Sequence, residues 1–204
     1  MKIAIIGTGD VGCALGKGLV GKHEVIYGSR EPAGTKGKVP ADVEVKSQKE
    51  AAAQGEVVFL AVPYRIVKEI VGSLEKELIG KVVVDVTNVV DEKWDLALGF
   101  STSGAEELAK LLPETKVVKA FNTVFAQNMI NGKTCGEQLT LFVAGNDQKA
   151  KEIVMQIGRD IGFEPVDGGP LKYARHLEPL GILLIKLGYE LNLGFGIGFR
   201  LVHD

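Results

Sequence analysis

The chain opens on a continuous apolar run, Lys2 to Ile6, breaks at Gly7, and resumes with the helical spacing of Val11 to Val20. The alternation then repeats. His23 to Tyr27, Val43 to Val45, Val57 to Val62, Lys81 to Val86 and Val117 to Phe121 read as short strands. Runs that are apolar on both faces suit a parallel sheet covered by helices on each side. Ser47 to Ala53, Tyr64 to Leu78 and Ala105 to Leu112 read as the covering helices. In the second of them Ile66, Val67, Ile70, Val71 and Leu74 recur at helical spacing. Leu139 to Ala144, a helix Gln148 to Ile161, and Glu164 to Val166 extend the pattern, and a helix with a glycine-rich tail follows Pro170. Right-handed crossovers turn this order into an α/β fold: a Rossmann-type doubly wound parallel sheet with a short C-terminal extension. The expected organisation is one unit, with a dinucleotide-binding domain over 1–168 and a helix and tail over 169–204 packed on it and at a dimer interface.

The first strand meets its helix at Gly7-Thr8-Gly9-Asp10-Val11-Gly12. A Gly-x-Gly-x-x-Gly at this point lets the chain turn tightly, brings backbone N–H groups against a pyrophosphate, and aims the positive end of a helix at it. The second strand ends in Gly28-Ser29-Arg30, where the adenosine ribose of a dinucleotide would lie. NAD-selective folds place Asp or Glu there to grip the 2′-hydroxyl. A hydroxyl and a guanidinium instead predict NADP(H), because Ser29 can donate to a phosphate and Arg30 can form charge-assisted bonds with it. Such bonds contribute about 1.5 to 3 kcal/mol each, so Arg30 is expected to give roughly a tenfold to hundredfold preference over NAD(H). Lys36 and Lys38 add to the positive field.

In an open parallel sheet, ligands bind beyond the carboxyl ends of the strands. After the fourth strand comes Pro63-Tyr64-Arg65, after the fifth Thr87-Asn88, and after the sixth Asn122-Thr123. Thr87, Asn88, Asn122 and Thr123 are the candidates for positioning a nicotinamide carboxamide and a second ring without placing a charge beside either. The alternative is that Asn88 and Asn122 only cap or turn the chain. The sequence offers no Ser/His/Asp set, paired carboxylates or metal-ligand spacing, and His23, His176 and His203 are scattered. Hydride exchange between two bound rings requires no general acid, so no catalytic side chain and no metal are expected. Arg65, Lys172 and Arg175 are candidate cations for an acidic substrate tail.

A net charge of −2 and a pI near 6.0 argue against nucleic acid as partner. Cys13 and Cys135 have no ligand-like spacing, which fits a reducing, cytoplasmic setting. The opening Met1 to Ile6 flows directly into the glycine motif, so no signal or transit peptide is expected. The late apolar stretch Leu177 to Val202 is broken by Lys186, Glu190, Asn192 and Arg200, so no membrane span is expected. That stretch holds more apolar surface than one terminal helix can bury on its own domain, which predicts a homodimer.

With these residues in view, the chain resembles the NADPH-dependent reductases of coenzyme F420 and related dinucleotide-binding oxidoreductases. The resemblance rests on Gly7 to Gly12, Gly28-Ser29-Arg30, Ala61-Val62-Pro63, Gly169-Pro170-Leu171 with Arg175 and Leu177-Glu178, and Gly194-Phe195-Gly196-Ile197-Gly198. It implies that Thr8, Ser29 and Arg30 bind NADP. It also implies that Pro63, with Val62 and Tyr64 beside it, lies along that cofactor. A second cofactor would stack on the nicotinamide under the loops after the fifth and sixth strands. In that place the chain departs from the family's His-Thr-Ile-Pro type of segment with Phe121-Asn122-Thr123-Val124-Phe125. Its Asp85-Val86-Thr87-Asn88 is closer to a wider group that includes the oxidoreductase domain of membrane metalloreductases, which reduce flavin. Coenzyme F420 is the expected hydride partner, with flavin (FMN or FAD) or ferric reduction as the alternative and a non-enzymatic NADP-sensing module as a further one. An imine or 3-hydroxyacid reductase would need a long helical substrate domain, for which too few residues remain after Val166.

Overall fold

The computed structural model describes residues 1–35 and 37–202; of the residues singled out above, Lys36 and His203 lie outside this set. Six strands make the expected doubly wound core: β1 (Lys2–Ile6), β2 (Glu24–Ser29), β3 (Glu44–Ser47), β4 (Val57–Leu60), β5 (Val82–Asp85) and β6 (Lys116–Lys119). They lie side by side in the order β3-β2-β1-β4-β5-β6, all parallel. The order reverses between β1 and β4, which opens a crevice beyond their carboxyl ends.

Side chains alternate between the two faces. Ile3, Ile5, Val57, Phe59 and Val84 point into one apolar layer, shared with α1 (Asp10–Leu19) and a helix α5 (Gln148–Ile161). Ala4, Ile6, Val58, Leu60 and Val83 point into the other, under α2 (Gln48–Gln54), α3 (Tyr64–Leu78) and α4 (Gly104–Leu111). Both faces are thus closed, as strands without an alternating polar face require.

The sheet continues differently from expectation beyond β6. A two-residue hairpin, β7 (Lys133–Thr134) with β8 (Glu137–Gln138), precedes β9 (Thr140–Gly145), which pairs with β6 antiparallel. β10 (Glu164–Asp167) pairs parallel to β9, so the outer two strands oppose the other six. The expected extension of the sheet is present, but it is not parallel to the core. The reason lies in the connection. A parallel neighbour needs a crossover helix, whereas residues 120–139 hold only a 3₁₀ turn, Ala126–Ile130, and the hairpin. Between β9 and β10, α5 supplies such a crossover.

A last helix, α6 (Ala174–Tyr189), is followed by an irregular tail. The tail is held by backbone carbonyls: Asn128 Nδ2 donates to Phe195 O and Ile197 O, and the Thr134 hydroxyl donates to Gly196 O. Among the described residues no helix is long and apolar enough to cross a membrane, and no group of His, Cys, Asp or Glu is arranged to hold a metal ion.

Candidate functional site

A cleft of about 550 Å³ opens beyond β1, β2 and β4. Gly7, Thr8 and Gly9 form one wall, Ser29, Arg30, Gly34, Thr35 and Lys38 one end, and Ala61, Val62, Pro63, Ile66 and Ile70 the opposite side. The three motif glycines have different reasons to be there. Gly7 has φ 116°, and a Cβ on it would lie 2.1 Å from Ala61 O. A Cβ on Gly12 would lie 2.2 Å from Gly7 O. Both are demanded by the turn and by the packing of helix against strand. A Cβ on Gly9 would meet nothing within 4 Å. The fold does not require glycine there; a ligand lying against that backbone would.

α1 begins at Asp10 with no side-chain cap on its amides. Its first-turn N–H groups therefore remain available to an anion in the cleft. Asp10 is exposed at that terminus, Val11 packs against the core, and Gly12 and Tyr64 lie behind the wall, so these four predicted contacts do not line the cleft. Gln48, Glu31 and Thr35 line it without having been singled out from the sequence.

At the ribose end β2 runs on through Ser29, which is buried, and its Oγ accepts from Glu31 N at 3.1 Å. The Ser29 hydroxyl proton is left free to donate into the cleft. Arg30 is exposed, and among the described residues no carboxylate or carbonyl engages its guanidinium. Cys13 donates to Thr8 O at 3.4 Å, and burial, ahead of its charged neighbours, pushes its thiol up from the ordinary value. It is a packing residue rather than a reactive thiol.

The two Asn-Thr pairs meet, as expected for residues at one sheet edge. Asn88 Nδ2 donates to Asn122 O at 3.0 Å, and Asn122 Nδ2 donates to Asn88 Oδ1 at 3.2 Å and to Leu177 O at 2.8 Å. Thr87, Asn122 and Thr123 are buried. Asn122 thus ties the strand-end loops to α6. Asn122 Oδ1 is buried with no hydrogen-bond partner. Phe121 makes this possible: its φ of 65° turns the chain sharply after β6, while its ring stays in the core edge-on to Phe59 and Phe163. Of the three candidate cations, Arg175 is engaged by Glu106 at 2.7 and 2.8 Å, Lys172 sits over the Tyr173 ring, and Arg65 is exposed.

Sequence reasoning missed a charged cluster beneath these loops. Lys119, at the end of β6, is fully buried, and its Nζ lies 2.9 Å from Asp85 Oδ2, 3.0 Å from Glu178 Oε1 and 2.7 Å from Thr87 O. Burial alone would lower its pKa, but Asp85 and Glu178 outweigh that and hold it above the ordinary lysine value. The signal in the sequence was Lys119 within the apolar run Val117 to Phe121, since a buried lysine requires partners.

Compared with known proteins, residues 2–89 match the family model of coenzyme F420-dependent NADP oxidoreductases. Along 202 residues the chain is 37% identical to metalloreductase STEAP3 of Rattus norvegicus, covering 97% of this chain but only 40% of that protein. It is 33% identical to the F420-dependent NADP reductase of Methanocaldococcus jannaschii, covering 100% of this chain and 99% of the relative. The chain belongs to the F420-dependent NADP oxidoreductase family. A candidate F420-dependent NADP reductase of an Arthrobacter species, 29% identical, superposes over the whole of both chains with a TM-score of 0.89. Membership places the chain among NADP-dependent oxidoreductases, and the shared fold is the one described above.

Proposed function

We propose that this chain transfers a hydride between NADP(H) and the deazaflavin coenzyme F420. The observation that carries the NADP half is the cleft. Glycine at position 9 faces open space beside an uncapped helix N-terminus, and the far end presents the Ser29 hydroxyl, an unengaged Arg30 and Lys38. In this reading Gly7, Thr8 and Gly9 hold the pyrophosphate together with the first-turn amides of Asp10, Val11 and Gly12. Ser29 and Arg30 receive the 2′-phosphate. Val62 and Pro63 lie along the nicotinamide half, with Tyr64 behind them. The deazaflavin half is supported by the end-to-end match to a relative named for that reaction.

The bound rings supply the electronics of hydride transfer; the protein's part is to bind, orient and exclude water. Thr87, Asn88, Asn122 and Thr123 serve as an uncharged floor, in which Asn88 and Asn122 are fixed by their bonds to each other and Asn122 by its bond to α6. The division of labour we infer assigns the dinucleotide and the ring-facing strand-end loops to residues 1–168, and the subunit contact to 169–204. A homodimer through α6 and the tail is supported by Leu183, Tyr189, Leu191 and Leu193, all large, apolar and exposed. The two free cysteines fit a cytoplasmic setting.

A second reading, with flavin or ferric ion as acceptor, is favoured by the 37% identity to a metalloreductase. Calorimetry tests the cofactor assignment: NADPH is expected to bind at least tenfold more tightly than NADH. Equal affinities, or none for either, would refute it. Sedimentation analysis tests the dimer, and a monomer at micromolar concentration would refute that part.

A further inference from the structure

The cluster at Lys119 carries an unbalanced charge. One ammonium faces two carboxylates, and every polar contact of those carboxylates is with a donor. Asp85 accepts from Lys119 and from Thr87 N, while Glu178 accepts from Lys119, Gly104 N and Ala105 N. Among the described residues only donors surround them, an arrangement that matches two acceptor carboxylates against one ammonium, a buried set that sums to −1. The amides at the start of α4 offset part of this charge without cancelling it.

The cluster stands close behind the cleft. Asp85 pairs in register with Leu60, the residue before Ala61 of the cleft wall. Tyr64, which follows Pro63, reaches the same place: a Cβ on Gly104 would lie 3.0 Å from the Tyr64 ring and 3.4 Å from Glu178 Oε1. Burial first, then the negative charges of Glu178, Glu107 and Asp85, push the Tyr64 phenol up despite Lys119. The negative field thus extends to a residue adjoining the wall. β5 lies two strand spacings, about 10 Å, from the glycine turn after β1. That is the side of the crevice opposite Ser29 and Arg30, where the nicotinamide of a dinucleotide would extend.

We infer that the Asp85–Lys119–Glu178 cluster is an electrostatic positioning device that favours the oxidised, cationic nicotinamide of NADP⁺ over the neutral ring of NADPH. The inference rests on the NADP reading given above. Its physical basis is that oxidation adds one positive charge to the ring, while the buried cluster holds a fixed negative charge that solvent screens much less than it would a surface charge. For a ring about 10 Å from the cluster and an effective dielectric of about 20, removing one unit of charge changes a dissociation constant by roughly tenfold. A purely structural cluster would alter both affinities together.

The test is calorimetric titration of Glu178→Gln and Asp85→Asn with NADP⁺ and with NADPH, each variant first compared with wild type by circular dichroism. The expected result is a dissociation constant for NADP⁺ that rises about tenfold while that for NADPH changes less than about twofold. Glu178→Asp keeps the charge and is expected to restore the wild-type ratio. If a variant is too unstable for calorimetry, the melting-temperature rise induced by each cofactor gives the same comparison. Equal losses for the two cofactors, or no change for either, would overturn the inference. Failure of the wild-type protein to bind either cofactor would instead overturn the NADP reading itself.

Discussion

Asn88 and Asn122 lock two strand ends together by exchanging hydrogen bonds, and Asn122 extends the lock to Leu177 O on α6. Gly181 sits against this pair so closely that a Cβ would lie 2.3 Å from Asn88 Oδ1. Replacing Asn122 with Ala leaves the Leu177 carbonyl without its Asn122 donor. Such a loss costs about 1 to 3 kcal/mol, or roughly 2 to 10 °C in melting temperature for a chain of this size. Thermal unfolding checks it, and a melting temperature within a degree of wild type would contradict the lock.

Gly9 and Gly12 are expected to fail in opposite ways. Gly9→Val keeps the melting temperature of the free protein but abolishes dinucleotide binding, because its side chain enters space that the fold leaves open. Gly12→Ala loses stability, since its Cβ collides with Gly7 O. Melting curves with and without NADPH separate the two. Undiminished NADPH binding by Gly9→Val would refute the assigned cradle.

Arg30→Ala removes the unengaged guanidinium without breaking an internal contact among the described residues. NADPH affinity is expected to fall about tenfold or more, with NADH affinity nearly unchanged. An equal loss for both cofactors would mean that Arg30 does not meet the additional phosphate.

The bidentate Arg175–Glu106 contact gives the fold a defined acid response. The Arg175 hydrogen bonds, against a smaller effect of burial, hold the Glu106 carboxyl below its ordinary value of 4.5. A depressed carboxylate contributes stability that is present above the unfolded value and lost as pH falls through the folded one. Arg175→Ala is therefore expected to melt a few degrees lower than wild type at neutral pH, with the gap closing as pH drops below about 4.5. Melting curves across that range check the trend, and a gap independent of pH would contradict it.

Much of this architecture was legible from the residues alone. Continuous apolar runs and the helical spacing of Tyr64–Leu78 located the doubly wound core, because both depend on local periodicity. The glycine turn and Ser29-Arg30 located the cleft for the same reason. What escaped depends on tertiary context. The reversed direction of β9 and β10 follows from how residues 120–139 pack, not from their own pattern. The bonding of Asn122 to α6 depends on the left-handed turn at Phe121, an aromatic residue with no local signal for that conformation. The charged cluster joins Asp85, Lys119 and Glu178 from distant parts of the chain, so only the fold brings their charges together.

Hydride transfer itself offers the most direct test of the central claim. Purified protein, NADPH and oxidised coenzyme F420 are mixed, and the visible absorbance of the deazaflavin is followed, with FMN, FAD and ferric ion as parallel acceptors. The account predicts catalytic bleaching of F420, faster than reduction of any other acceptor. NADPH binding without turnover of any acceptor, or preferential reduction of flavin or ferric ion, would contradict it.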